Sequence, residues 1–459
     1  MIWNLSRPKP ALPSSYFWTW DHSTNWVLDD PGGLNFGCGN RYLKRPDTFV
    51  EDYRRLTDLA AGLGVKGILI WGFIRDSHGG IEYSKRVADY AASKGVAIMP
   101  GIGTTWYGGM YYEGDHPYNI ETFVKNNPDA RIIDERGEAQ AHGACPSSPR
   151  FLEWLAEGIQ WLFREFAIGG ANLENGDFSV CYDPKCRAQK EKWPADDPDF
   201  FRLQALSYVP ALKAIRDLLP DKLVTWATYT GFVPGTDPER ISHRFTNCER
   251  PAIFDHIEPD GVCQWTITEM VHYDQLPLTV FLNDGAPKEA LGNPRWPDGL
   301  RPPGKRGCGF LHQSSQWNWI PRYSQCVSAI KEGCLRAYQS GLEGVSIHGE
   351  VSSRHIPWAL NYLAFSHFIH WPEDSLRGFG RKTLGQVFAD EDEGEAFAEH
   401  LAHWDAGDMT EDQKKDLGRR RWSLRNDVAA GKNLERWRFW DWLDRAASDG
   451  ADRHSAGWY

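Results

Sequence analysis

The chain has 459 residues, 41% hydrophobic and 25% charged, a composition that excludes a largely disordered, collagen-like or membrane-embedded protein. Its formal net charge of −11 argues against a general nucleic-acid binder, which carries a basic excess. No apolar run approaches the ~18 residues of a membrane span, and residues 1–15 are Pro-rich without a signal-peptide core, so the reading is a cytoplasmic protein with no membrane partner.

The first apolar-aromatic run, 16–20 (YFWTW), reads as a strand ending at Asp21-His22. A helix follows over 46–63, opened by Asp47 and closed by Gly64. Residues 65–74 (VKGILIWGFI) read as a strand buried on both faces. A helix over 81–93 stops at Gly95, and 96–101 is the third strand. The aromatic stretch 104–119 (TTWYGGMYYEGDHPYN) is too long for a tight connection and is expected to cover a site. An amphipathic helix over 148–166 precedes a fourth strand, 169–174 (GGANLE). Helix 198–219 leads to a fifth strand, 223–229 (LVTWATY). The sixth is 261–267 (GVCQWTI) and the seventh 278–284 (LTVFLND). A Gly/Pro-rich loop covers 285–307. A long helix over 320–339, an eighth strand over 344–350 (GVSIHGE) and a helix over 357–371 complete the pattern.

Strands alternating with helices predict an α/β fold, and eight units favour a (β/α)8 TIM barrel over residues 16–372. A doubly wound sheet is the runner-up, but no glycine fingerprint follows the first strand. Residues 1–15 form an N-terminal extension, and 373–459 a C-terminal helical region packed on the barrel. The acidic run ADEDEGEAF and the basic run GRRRWSLRN there read as solvated faces, with a homo-oligomer contact as the lesser reading. The nine Cys are odd in number and scattered, which argues against a disulfide framework. Cys326 and Cys334 are about 12 Å apart along one helix, too far to bridge. Cys181 and Cys186 could form a local disulfide or half a metal site. No second Cys pair completes a zinc signature, so no metal and no cofactor is assigned, and the cysteines read as buried thiols. The pairs His367/His370 and His400/His403 read as packing or surface histidines.

A barrel of this type places its active site at the C-terminal ends of its strands. Those ends carry Asp21 and His22, Trp71 and Arg75, Trp106 and Tyr107, Glu174 and Asp177, Trp226, Trp265, Asp284, and His348 and Glu350. The chain holds 22 Trp, several-fold above the usual share, and five strands, ending at Trp20, Trp71, Trp106-Tyr107, Trp226 and Trp265, deliver an aromatic to the same rim. Flat indoles stack on sugar rings, and a glycosidase needs two carboxyl groups flanking the scissile bond. Glu174 is the leading acid, its pKa expected to rise in an apolar, Trp-lined site. Asp177 lies an odd step away and points to the other face unless the chain turns at Gly176; a turn or cap role fits it as well. Glu350 ends an apolar strand where packing explains a carboxylate poorly. Asp284 in LNDG is equally a turn residue. Asp21 binds sugar hydroxyls or orients His22.

The stretch LENGDFSVCYDPKC (173–186) resembles the fourth-strand segment of bacterial α-glucuronidase-type glycosidases, in which an acidic residue precedes a Cys-containing loop. GEVSSRHIPWALNYLAFSHFIHWPED (349–374) resembles the last barrel strand and helix of that group, and CPSSP at 145–149 is similar to its helix opening. The resemblance implies a TIM-barrel glycoside hydrolase acting on an oligo- or polysaccharide, with Glu174 as general acid and Glu350 as base, nucleophile or electrostatic partner. It also implies Arg75 and Arg354 as partners of a uronate carboxylate. The chain departs from the Asn-Glu pair of many retaining barrel glycosidases, because Leu173 separates Asn172 from Glu174, and it lacks the Asp-Glu pair of β-hexosaminidases. Two other classes fit the same rim: a polysaccharide lyase or sugar isomerase using His22, His348 or Tyr107 as base, and a non-catalytic carbohydrate-binding protein.

Overall fold

A computed structural model describes residues 3–24, 26–27, 44–174, 181–190, 199–228, 262–266, 307–311, 325–339 and 341–448. Local signals set the first units. In α1 (Pro46–Leu63) proline takes the opening turn, and Gly64, left-handed at φ 71°, donates its N–H to Ala60 and Ala61. In α4 (Pro149–Glu165) Ser148 caps the helix by accepting from Phe151 N at 3.4 Å. Between them come β2 (Gly67–Trp71), α2 (Gly80–Ser93) and β3 (Ala97–Gly103). Every residue of β2 is buried, as in a sheet covered on both faces.

Eight parallel strands close into a ring. β1 (Tyr16–Trp20) lies between β2 and β10 (Gly344–His348), and the ring continues through β9 (Gly307–Leu311), β8 (Val262–Thr266), β7 (Leu223–Thr228), β6 (Gly170–Glu174) and β3 back to β2. The register aligns Tyr16 with Ser346 and Trp20 with Trp71. Helix α6 (Asp199–Leu218) follows β6, α7 (Val327–Gln339) follows β9, and α8 (Ile356–His370) follows β10. The connections after β7 and β8 lie outside the described residues.

The ring corrects one expectation. Its seventh strand is β9, which starts at the last residue of the stretch read as a Gly/Pro-rich loop and runs beyond it. The run 278–284 lies outside the described residues. Between β3 and α4 the chain also builds helix α3 (Ile120–Asn126) and an antiparallel hairpin of β4 (Arg131–Ile133) and β5 (Ala139–Ala144). These two strands are short and a third of their residues are polar, without strict alternation, so they carry little period-2 signal.

The core has two layers. Outward-facing Ile68, Ile70, Ile98, Leu173, Val345 and Ile347 meet the helices. Inward-facing Tyr16, Trp18, Trp20, Leu69, Trp71, Met99, Cys308 and Phe310 fill the ring. Glycine is required at 101, because a Cβ there would stand 2.3 Å from the Trp71 ring lying across it.

Every residue of α8 is buried. The barrel covers one side. The helical segments over 376–448 cover another, through contacts such as Phe368 with Phe379 at 5.9 Å and His367 Nδ1 with Thr383 Oγ1 at 2.9 Å. There Trp440 and Trp442 are buried while Trp422 is 63% exposed. The acidic run pairs with Arg381, through Glu391, Asp392 and Glu395, and Arg420 joins the two runs by pairing with Glu393, while also pairing with Asp416. No described helix is long and apolar enough to cross a membrane.

His355, which precedes α8, is fully buried, and burial pushes its pKa down from 6.5 to about 3. The unfolded chain therefore takes up a proton that the fold refuses, and stability falls as pH drops through 6.5 toward 3. In His355→Gln, denaturant unfolding measured from pH 7 to pH 4 should show a shallower acid slope than the wild type.

Candidate active site

Glu174 is the last residue of β6. Its neighbour Leu173 faces the outer layer, so by strand alternation Glu174 shares the inward face with Asn172, whose Nδ2 donates to Thr225 Oγ1 at 2.8 Å. The Glu174 carbonyl accepts from Thr104 N at 2.7 Å, fixing the strand end to the loop after β3. Glu350 lies two residues past β10. Its Oε1 accepts from Trp20 N at 2.7 Å, and its Oε2 lies 4.0 Å from His348 Nδ1. Both carboxylates are buried, at 3% and 1% exposure. In the ring order β6 and β10 are four strands apart by either path, so the two acids rise from opposite walls at the same end of the barrel. Strands ~4.8 Å apart and tilted by ~36° close into an eight-membered ring about 15 Å across.

A charged cluster sits beside them at the top of β1 and β2. Asp21, fully buried, pairs with Lys44 Nζ at 3.0 Å and with His78 Nδ1. Lys44 also pairs with Asp52 Oδ2 at 2.9 Å, and both side chains are fully buried. Burial opposes the charge on Asp21, but Lys44, His78 and Arg75 outweigh it and hold the carboxyl well below the ordinary range. For Asp52 burial wins, and its pKa lies above the ordinary value despite Lys44. Lys44 is itself raised, its burial outweighed by the two carboxylates. Arg75 pairs with Glu113, lies 3.4 Å from His22 Nδ1 and stands 5.1 Å from the Tyr112 ring centre.

The aromatics divide. Trp20 and Trp71 lie 5.4 Å apart inside the ring, with Tyr107 at 5.9 and 5.7 Å from them. Trp71 is fully buried and its indole N–H meets no acceptor among the described residues, so it packs as core where a sugar platform was expected. His348 is also fully buried, between Trp18 and Phe310 at 5.3 and 5.4 Å. Trp226 is turned away from the rim: it packs outward against Tyr208 of α6, at 6.0 Å. Trp106 is half-buried against the β4–β5 hairpin and a group of cysteines. Tyr107 is held left-handed at φ 55°, a strained position for a bulky residue and one that gathers at functional sites.

Half-exposed His22, Arg75, Tyr107, Tyr112 and Glu113 thus form the rim on the β1–β3 side, with buried Asp21 beneath. Arg354 is exposed beyond β10, its carbonyl accepting from Arg438 on the C-terminal helix Leu434–Ser448. Asp177 and Asp284 lie outside the described residues; Trp265 lies on β8, its side chain likewise undescribed. Lys44, Asp52, His78 and Glu113 were not singled out from the sequence. For Glu113 the signal was present, since it sits in the aromatic loop expected to cover a site.

No protein-family model and no curated protein matches the chain. Among solved structures it is similar to the β-N-acetylhexosaminidase of Bacteroides fragilis, at 14% identity over 56% of this chain and 46% of that one, with a TM-score of 0.34. The chain thus spans about half the length of that enzyme. It is similar to the α-amylase of Geobacillus thermoleovorans, at 10% identity over 79% and 80% of the two chains, with a TM-score of 0.44. For the O-GlcNAc hydrolase of Thermobaculum terrenum the figures are 10%, 87%, 78% and 0.42. At such identities and scores the likeness assigns neither an activity nor a residue to this chain.

Proposed function

We propose that the chain is a glycoside hydrolase on a (β/α)8 barrel, with Glu174 as general acid and Glu350 as the second carboxylate. One observation carries the reading: two buried glutamates at the C-terminal ends of strands on opposite walls of one ring, with a half-exposed aromatic and charged rim beside them. Glycosidic cleavage needs that pairing, one carboxylic acid on the leaving oxygen and one carboxylate on the other side of the sugar. Glu174 protonates the leaving oxygen. Glu350, oriented by the Trp20 N–H, attacks the anomeric carbon or activates water. Among the described residues at this end, Tyr107, Tyr112 and Trp106 are aromatics with exposed surface to offer a sugar face.

The resemblance of 173–186 and 349–374 to α-glucuronidase-type enzymes supports a uronic-acid-containing substrate. In that reading a uronate carboxylate competes with Glu113 for Arg75. The test is a product screen with purified protein on oligosaccharides and aryl glycosides, uronides included. Hydrolysis yields products heavier by one water than the substrate in sum. An unsaturated, ultraviolet-absorbing uronide in their place would mean a lyase and overturn the reading.

A further inference from the structure

The loop segments that follow β3 and β6 meet at three cysteines. Cys145 follows β5, and Cys181 and Cys186 lie beyond Glu174, the latter on the short helix α5 (Pro184–Lys190). All three are buried, at 5%, 3% and 0% exposure. Their sulfurs lie within 4.8 Å of one another, with Cys145 to Cys186 at 3.4 Å and Cys145 to Cys181 at 3.6 Å. Two thiolates bound at ~2.3 Å to one tetrahedral ion stand about 3.8 Å apart, so the spacing is that of a shared ion. The separation of Cys181 and Cys186 falls in the usual C-x2–4-C range, and the third sulfur, 36 residues before Cys181, comes from tertiary structure. The Ile133 N–H donates to Cys181 Sγ at 3.5 Å, the kind of contact that supports a metal-bound thiolate. Cys186 Sγ donates to Ser147 Oγ at 3.0 Å, placing an oxygen beside the sulfurs.

We propose that Cys145, Cys181 and Cys186 form a three-thiolate site for a soft divalent cation of the zinc type, clamping the chain beyond Glu174 to the β4–β5 hairpin. Binding replaces the three S–H protons, which pass to solvent, and leaves three metal–sulfur bonds. Trp106 and Ile133 pack against the cluster, so the clamp fixes the loop in which Trp106 is followed by the rim residue Tyr107. The site is independent of the hydrolase reading, because its test measures metal and not turnover.

The experiment is titration of the reduced, metal-stripped full-length protein with Zn²⁺, followed by metal analysis after dialysis. One equivalent should be retained per chain. Co²⁺ in place of Zn²⁺ should give sulfur-to-cobalt charge-transfer absorption in the near ultraviolet and the visible bands of tetrahedral cobalt. Cys145→Ser, Cys181→Ser and Cys186→Ser should each abolish stoichiometric retention, and Cys334→Ala, on α7, should keep it. If a serine variant fails to fold, the Co²⁺ spectrum of the wild type still decides. Failure of the wild type to retain Zn²⁺, a Co²⁺ spectrum without thiolate bands, or peptide mapping of the protein as isolated that finds two of the three joined as a disulfide would each overturn the proposal.

Discussion

Glu174→Gln should lower turnover of an unactivated glycoside by about 10²–10⁴-fold, the usual contribution of a positioned general acid. The substitution keeps shape and volume and replaces the ionisable carboxyl by an amide that has no proton to transfer. The backbone bond from Thr104 to the Glu174 carbonyl does not involve the side chain and survives. Activity should collapse with the fold retained, which thermal unfolding of the variant checks. A loss of fold accompanying the loss of activity would instead mean that Glu174 holds the strand end together.

Lys44→Met should cost about 3–5 kcal/mol of stability, because removing one partner leaves buried charge uncompensated. Lys44 is the cation shared by Asp21 and Asp52, and all three side chains are fully buried. Asp21 is held below its ordinary pKa, so it stabilises the fold above that value, and the contribution fades as pH falls through the lowered one. Lys44 is raised, so its contribution is present below its ordinary value and fades as pH rises through the higher one. Denaturant unfolding at neutral pH should show the loss directly. Adding Asp52→Asn to Lys44→Met should recover part of it, since one stranded charge is then gone.

The early units of the fold are legible because local and tertiary demands agree. GILIW reads as a strand covered on both faces and forms one, and Ser148-Pro149 reads as a helix opening and forms one. The seventh strand was not legible. GCGFL is five residues long, two of them Gly, and follows a Pro/Gly-rich run, so its strand character comes from the sheet on either side. The site was legible in part. Glu174, Glu350, Asp21, His22 and Arg75 come to one end of the barrel, as their positions at strand ends imply. Which way each Trp faces is a matter of register, and a one-residue step exchanges the two faces. That is why Trp226, two residues before the end of β7, packs outward against α6. The Cys145 link to Cys181 and Cys186 is likewise tertiary: no spacing rule joins a residue before α4 to a loop after β6.

The most direct measurement compares wild type, Glu174→Gln and Glu350→Gln on two aryl glycosides of one sugar, chosen from the screen, that differ only in leaving group. A leaving group of low pKa departs without a proton, so a general-acid variant keeps its rate there and loses it on the poor one. Glu350→Gln retains an oxygen to accept from the Trp20 N–H but lacks the carboxylate, and should be slow on both. The account predicts that split: Glu174→Gln near wild type on the activated glycoside and about 10²-fold or more slower on the unactivated one, and Glu350→Gln slow on each. Equal losses of Glu174→Gln on the two substrates, or wild-type rates for Glu350→Gln, would contradict it.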